Sequence, residues 1–324
     1  MILAVAPLVD MHVHLREPGG EHKETILTGT AAAVAGGFGA VACMPNTDPV
    51  LDSPELIERV CRAKAHCAVY PIACISIGQF GRRLTNFGLL RRAGAVAVSD
   101  DGKTVEDEDL MRFALLSAAD HGLAVISHCE PETEICERDI TLAEETNSRL
   151  HIAHVSLRST VEVIRSAKKR GVHVTAETCP HYLLGSAHGA VNPPLASEED
   201  RAALCAALKD DTIDVIASDH APHTAAEKEA DPSLCGFIGL ETSVGAVLTA
   251  LYHTRLMSAA DIFRKMRETP AAILGIPVPQ GEIVVDTDVP WTPQKFVSMS
   301  SNCAFTGVML RGRVAVCQPT LLPD

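Results

Sequence analysis

The stretch Val9-Asp10-Met11-His12-Val13-His14-Leu15-Arg16-Glu17-Pro18-Gly19-Gly20 (VDMHVHLREPGG) sets two histidines and an arginine in an otherwise apolar run near the start of the chain. In an extended segment residues two apart share a face, so His12 and His14 project together while Met11, Val13 and Leu15 project the other way. Two imidazoles on one face can grip a metal ion, and the Pro-Gly-Gly that follows opens a loop. A lone His-x-His also suits packed or surface histidines. Its meaning therefore depends on the runs that follow.

Seven more apolar, β-branched runs follow the one at 8–14: 40–46 (AVACMPN), 68–76 (AVYPIACIS), 95–101 (AVAVSDD), 123–130 (LAVISHCE), 150–156 (LHIAHVS), 173–179 (HVTAETC) and 213–219 (IDVIASD). Between them, segments 22–37, 53–66, 107–121, 137–147, 158–170 and 197–209 carry apolar residues at helical spacing. Ser53-Pro54-Glu55 marks a helix start, and Lys168-Lys169-Arg170-Gly171 marks a helix end. Strands alternating with helices pair in parallel, and eight such units predict an α/β fold of the (β/α)8 TIM barrel type. A final helical pair, 240–253 and 258–274, is expected on the outside of the barrel. Beyond Pro279 the chain turns to valine-rich runs with prolines. Residues 1–280 are thus expected to form the barrel and 281–324 a small C-terminal β appendage.

The bulk properties narrow the function. A net charge of -13 opposes nucleic acid or an anionic membrane as partner, which leaves a small molecule. The eleven cysteines form no CxxC pair and lie in apolar or helix-like segments, as in a reducing compartment. MILAVAPLVD has no basic leader region, and no apolar run reaches the roughly 18 residues of a membrane span, so a cytoplasmic location is expected.

In a barrel enzyme the site forms at the C-terminal ends of the strands. These ends carry His12, His14, Asn46, Asp101, His128, His154 and Asp219. Four histidines and two carboxylates suit two divalent metals with one carboxylate between them, and imidazole with carboxylate favours zinc. Asp100-Asp101-Gly102 is equally ordinary turn chemistry.

In order along the chain, VDMHVHLREPGG, MPNT at 44–47, SDDG at 99–102, SHCE at 127–130, HIAHVS at 151–156, TCPHYL at 178–183, NPPL at 192–195, SDHAPH at 218–223 and GLET at 239–242 resemble the dihydroorotases of the amidohydrolase superfamily. The resemblance implies a binuclear zinc site, two Zn2+ per chain, and reversible cyclisation of N-carbamoyl-L-aspartate to dihydroorotate in pyrimidine biosynthesis. His12, His14 and Asp219 would hold the more buried metal, and His128 with His154 the more exposed one. In many relatives a carboxylated lysine bridges the metals. Here Val98-Ser99-Asp100-Asp101 contains no lysine, and the resemblance is to the bacterial branch with an aspartate bridge. Asp101 is the first choice for that bridge and Asp100 the second.

Asp219 would act as the catalytic proton carrier. Arg16 offers a planar fork, and Asn46 an amide donor, to the substrate carboxylate. By resemblance Asn192 and His223 also line the substrate pocket. His181 and His220 fit packing or ligand-orienting roles as well as substrate contact. The segment before the His-x-His strand is shorter than the family usually has, as in the compact dihydroorotase domain of the animal multifunctional pyrimidine enzyme. Such compactness leaves surfaces unpaired and points to a homodimer or to association with aspartate transcarbamoylase. Two rival functions share most of these features: another cyclic amidohydrolase of hydantoinase or allantoinase type, and an inactive scaffold subunit of aspartate transcarbamoylase.

Overall fold

The computed structural model describes residues 1–185, 189–195 and 197–320. Strand β1 spans Ile2–Val5; β2 to β9 span Leu8–Val13, Phe38–Cys43, Ala68–Ala73, Ala97–Ser99, Ala124–Ser127, Leu150–Ile152, Val174–Thr178 and Val215–Ile216. These eight lie side by side in sequence order and pair in parallel. A parallel bridge between Val13 and His220, with His14 N–H donating to the His220 carbonyl at 2.8 Å, joins the last strand to the first and closes the barrel. β2 and β3 are buried along their whole length, as expected of strands covered on both faces.

Helices Ile26–Ala35, Pro54–Cys61, Glu108–Asp120, Glu132–Thr146, Arg158–Arg170 and Glu198–Lys209 fall in or across the segments with helical spacing. Gly171 ends its helix at φ +87°, a left-handed conformation that glycine adopts without a Cβ penalty. At the other marked end Ser53 is the N-cap residue and Pro54 opens the helix, but the Ser53 hydroxyl makes no capping hydrogen bond. Three short helices carry no readable period: Phe87–Ala93, Pro180–Leu184 and Ala225–Ala230.

The barrel interior is lined by modest side chains. Val9, Met11, Ala40, Ala42, Ile72, Ala97, Ile126 and Val215 form one buried cluster that draws on most of the strands. Helix Glu268–Leu274 adds Ala271 and Leu274 to that cluster. Its Thr269, Ala272 and Ile273 share a cleft with Ala124, Leu150 and Val174, the first residues of β6, β7 and β8. This corrects the expectation for 258–274, the second member of the final helical pair: it is two helices, Ala259–Lys265 and Glu268–Leu274, and the latter plugs the N-terminal mouth of the barrel and does not lie on its outside. The physical reason is that an interior of alanines leaves an apolar end that needs a cover.

β10 (Gln280–Trp291) and β11 (Leu310–Thr320) form an antiparallel sheet with β1, in the order β1-β10-β11. The small sheet therefore takes strands from both sides of residue 280, and residues 321–324 of the expected appendage lie outside the described residues. Ile283 and Val285 point into the main core, with Leu3, Val5, Val314 and Cys317 packed beside them. None of the eleven cysteines is in a disulfide, and eight are buried. Among the described residues no helix is long and apolar enough to cross a membrane.

Candidate metal centre

The parallel barrel delivers the titratable side chains to one mouth because each strand ends there in the same sense. His12 lies within β2 and His14 just after it, Asn46 follows β3, Asp101 follows β5, His128 follows β6, His154 follows β7 and Asp219 follows β9. All except Asn46 are buried.

Asp101 stands at the centre. Its Oδ1 lies 3.4 Å from His12 Nε2, 3.8 Å from His128 Nδ1 and 3.7 Å from His154 Nε2, and its Oδ2 lies 3.6 Å from His14 Nε2. Asp219 Oδ1 lies 3.1 Å from His14 Nε2 and 3.6 Å from His12 Nε2. Asp100 points elsewhere, accepting from the backbone N–H of Ser76 at 3.1 Å and from the Ser76 hydroxyl. Lys103, the nearest lysine in sequence, donates to the Gln79 carbonyl at 3.2 Å.

The electrostatics follow from this clustering. Burial opposes ionisation of Asp101, but the imidazoles around it, His12 first and then His154 and His14, hold it well below the usual carboxylate range. Asp219 is likewise opposed by burial and brought down to about 2 by His12, His14 and His154. His128 is lowered too, to about 4, by burial and the charge of His154, which for an imidazole favours the neutral form.

The donor set fits metal ions. His12 Nε2 and Asp101 Oδ1 are buried, face each other and have no hydrogen-bond partner, an arrangement that is costly unless a cation lies between them. His12, His14 and Asp219 present ligand atoms within 4.8 Å of one another, and so do His12, Asp101 and His154. Cys179, His181 and Asp219 form a third such group beside them.

A cavity of about 240 Å³ opens over the cluster; its lining includes His14, Arg16, Asn46, Asn192, Asp219 and His223. Arg16 donates from Nε to the Pro222 carbonyl at 3.1 Å, and its Nη2 lies 3.2 Å from His223 Nε2. Asn46 accepts at Oδ1 from His14 Nδ1 at 2.8 Å. Asn192 reaches across the mouth to Glu130 at 3.1 Å. Burial, with the nearby charge of Arg16, pushes His223 down to about 3, so its imidazole is neutral. His181 and His220 are buried: the His181 ring is tilted against Tyr182 and meets Phe237 edge-on, and His220 accepts from the Gly239 N–H at 3.2 Å.

Three buried carboxylates beneath the cluster escaped the sequence reading. Asp10 accepts from the N–H groups of His12 and Ser218, bracing the two strands that carry His12 and Asp219. Glu132 accepts from the N–H groups of Ser156 and Leu157, just past His154. Glu177 contacts His12 Nδ1 at 2.5 Å; burial opposes its charge, but His12 and His151 hold it well below the usual carboxylate range. A carboxylate inside an apolar strand such as HVTAETC was the available signal, since a buried charge needs a partner.

Comparison with known proteins adds lineage to this geometry. A family model described as dihydro-orotase-like matches residues 2–135. The dihydroorotase of Pelotomaculum thermopropionicum is 44% identical, the match covering 96% of this chain and 84% of that protein. The dihydroorotase of a Geobacillus species is 40% identical over the same shares. Among solved structures, the L-hydantoinase (dihydropyrimidinase) of Arthrobacter aurescens superposes with a TM-score of 0.85 at 20% identity, covering 99% of this chain and 87% of that one. The inactive dihydroorotase-like domain of the Chaetomium thermophilum CAD-like multifunctional protein gives 0.76 at 15% identity, covering 99% and 95%. At such identities these two structures speak for the fold alone.

Proposed function

The chain belongs to the dihydroorotase family and is a cyclic amidohydrolase of a metal-dependent kind, and from that premise we propose that it interconverts N-carbamoyl-L-aspartate and L-dihydroorotate with two zinc ions per chain. His12, His14 and Asp219 would hold one zinc and His128 with His154 the other, with the Asp101 carboxylate available to both. The observation that carries this reading is the single carboxylate of Asp101 within 4 Å of an imidazole nitrogen from each of four histidines. When bound, the zinc pair would acidify water and polarise the scissile carbonyl.

The remaining chemistry belongs to the chain. Asp219 faces the cavity from the edge of the cluster, where its carboxylate takes the proton of the attacking water and hands it to the departing ring nitrogen; in the reverse direction the proton retraces this path. Arg16, fixed at its inner edge by Pro222 and His223, turns the rest of its guanidinium toward the substrate carboxylate. Asn46 accepts from His14 at its amide oxygen and turns its NH2 to Asp101, 3.4 Å from both the carbonyl oxygen and Oδ2, so donating to the substrate carboxylate means releasing one of these long bonds. Asn192 and His223 complete the wall, and a neutral His223 donates or accepts without adding charge.

A small molecule is the partner this pocket is built for. Homodimerisation, association with aspartate transcarbamoylase and a cytoplasmic setting belong to the same proposal, and sedimentation of the chain alone and mixed with that enzyme tests the first two. The direct test of function is an ultraviolet assay of dihydroorotate and of hydantoin, which lacks the carboxylate. The proposal expects turnover of dihydroorotate only, with Arg16→Lys raising KM at least tenfold because a point charge cannot replace the fork. Preference for hydantoin, or an unchanged KM in the variant, would overturn it.

A further inference from the structure

The four histidines of the cluster differ in what holds them from behind. His12 turns Nε2 to the two aspartates, and its Nδ1 lies 2.5 Å from Glu177 Oε1. The other oxygen of Glu177 is 3.3 Å from His151 Nε2, and His151 Nδ1 is 2.8 Å from Thr175 Oγ1. His12, His151 and Glu177 are fully shielded from solvent. This makes a buried line, His12 to Glu177 to His151 to Thr175, leading away from the metal centre toward the starts of the strands.

The other three histidines have weaker backing. His14 Nδ1 meets only the neutral amide oxygen of Asn46. His128 Nε2 has a carboxylate oxygen of the exposed Glu130 no nearer than 3.7 Å. His154 Nδ1 is buried without a hydrogen-bond partner. A histidine that gives its Nε2 lone pair to a metal carries its proton on Nδ1, and a carboxylate accepting that proton's hydrogen bond fixes the ring and makes Nε2 a stronger donor.

We propose that the two metal positions are unequal by construction: Glu177, steadied by His151, is a positioning residue that makes the position shared by His12, His14 and Asp219 the tight one, and leaves the His128 and His154 position exchangeable. This rests on the reading of the metal centre given above. His151 matters because it occupies the second oxygen of Glu177, so that the buried carboxylate stays compensated when His12 shares its electrons with a metal.

The test is zinc retention by the full chain, loaded with zinc and equilibrated against a graded series of dipicolinate, with metal per chain read by elemental analysis. The native protein should release one zinc at a chelator level at least tenfold below that needed for the other. In Glu177→Gln, which keeps the volume and an accepting oxygen but not the charge, the second release should move about 10- to 100-fold toward the first, so that the two steps merge. Should that variant fail to fold by circular dichroism, His151→Gln, which loosens the hold on the second oxygen of Glu177, tests the same line. It should bring the two releases closer by at least threefold, an unchanged gap overturning the role of Glu177. Separately, His154→Asn should keep one zinc, held as tightly as the last zinc of the native chain. Simultaneous release of both zincs by the native protein, two separate steps retained in Glu177→Gln, or loose zinc in His154→Asn would overturn the proposal. A native chain that takes up no zinc at all would instead overturn the metal-centre reading beneath it.

Discussion

Arg16, His154 and Asp219 share a backbone property that no side-chain pattern reports: each has positive φ, at 61°, 33° and 47°. Non-glycine residues enter that region at a steric cost, and they stay there only when the surroundings over-determine them. At the end of a barrel strand such a turn redirects the side chain from along the strand into the mouth. It is one reason why the residue types were legible in the sequence while their aim was not. Asp100 and Asp101 illustrate the same limit. Alternation places neighbours on opposite faces, but only the turn at Gly102 decides which face meets the histidines. Asp219→Asn should keep the shape of the cluster and lose the proton carrier, lowering kcat for dihydroorotate by about 10²- to 10⁴-fold while zinc per chain changes little. Retained activity would remove Asp219 from that role. His223 gives a prediction in pH. Its folded pKa of about 3 lies below the unfolded value of about 6.5, so below that value the unfolded chain binds the extra proton and stability is lost as the pH falls. Removing the imidazole removes that loss. The melting temperature of His223→Gln relative to the native protein should therefore rise as the pH is lowered from 7.5 to 5, and a constant difference would contradict the assignment.

The eight barrel strands were readable as elements because each is a short apolar run closed by polar residues, and six helices because their apolar spacing holds over two or more turns. Helices of five to seven residues, such as Pro180–Leu184, Phe87–Ala93 and Ala225–Ala230, span too few turns for a period to emerge. In the sequence the plug helix Glu268–Leu274 reads only as the end of one helix over 258–274; neither the break after Ala259–Lys265 nor the plug is legible, since the latter depends on how much space the alanines of β3 and β5 leave inside the barrel. β1 is four residues long and carries no alternation of its own; its register is set by pairing Leu3 with Val285 and Val5 with Ile283. That sheet is also where an element can be weakened apart from the site. Ile283 is fully buried where the small sheet meets the main core. Ile283→Ala should cost about 2 to 5 kcal/mol through lost burial and the cavity left behind. Urea unfolding followed by circular dichroism measures that loss, and zinc per chain and KM should stay at native values in the folded variant. A loss of zinc would show that the small sheet supports the site more directly than the packing implies.

Taken as one molecule, the chain combines a net charge of -13 with a cavity that gathers Arg16 and four histidines around two carboxylates. Six ligand-capable side chains from the ends of five strands converge only when the barrel closes, so metal binding and folding must support each other. Removing metal with a chelator should lower the melting temperature, and restoring zinc should return it. Because the bridge we propose, Asp101, is an aspartate and Lys103 turns to the Gln79 carbonyl, reconstitution should proceed equally well with and without bicarbonate. The most direct check of the whole account is bound zinc per chain, by elemental analysis of protein purified without chelator, with dihydroorotate consumption followed on the same sample. The account predicts about two zincs per chain together with ring opening. A chain that holds no zinc and leaves dihydroorotate intact, even after zinc is supplied and aspartate transcarbamoylase is added, would contradict it.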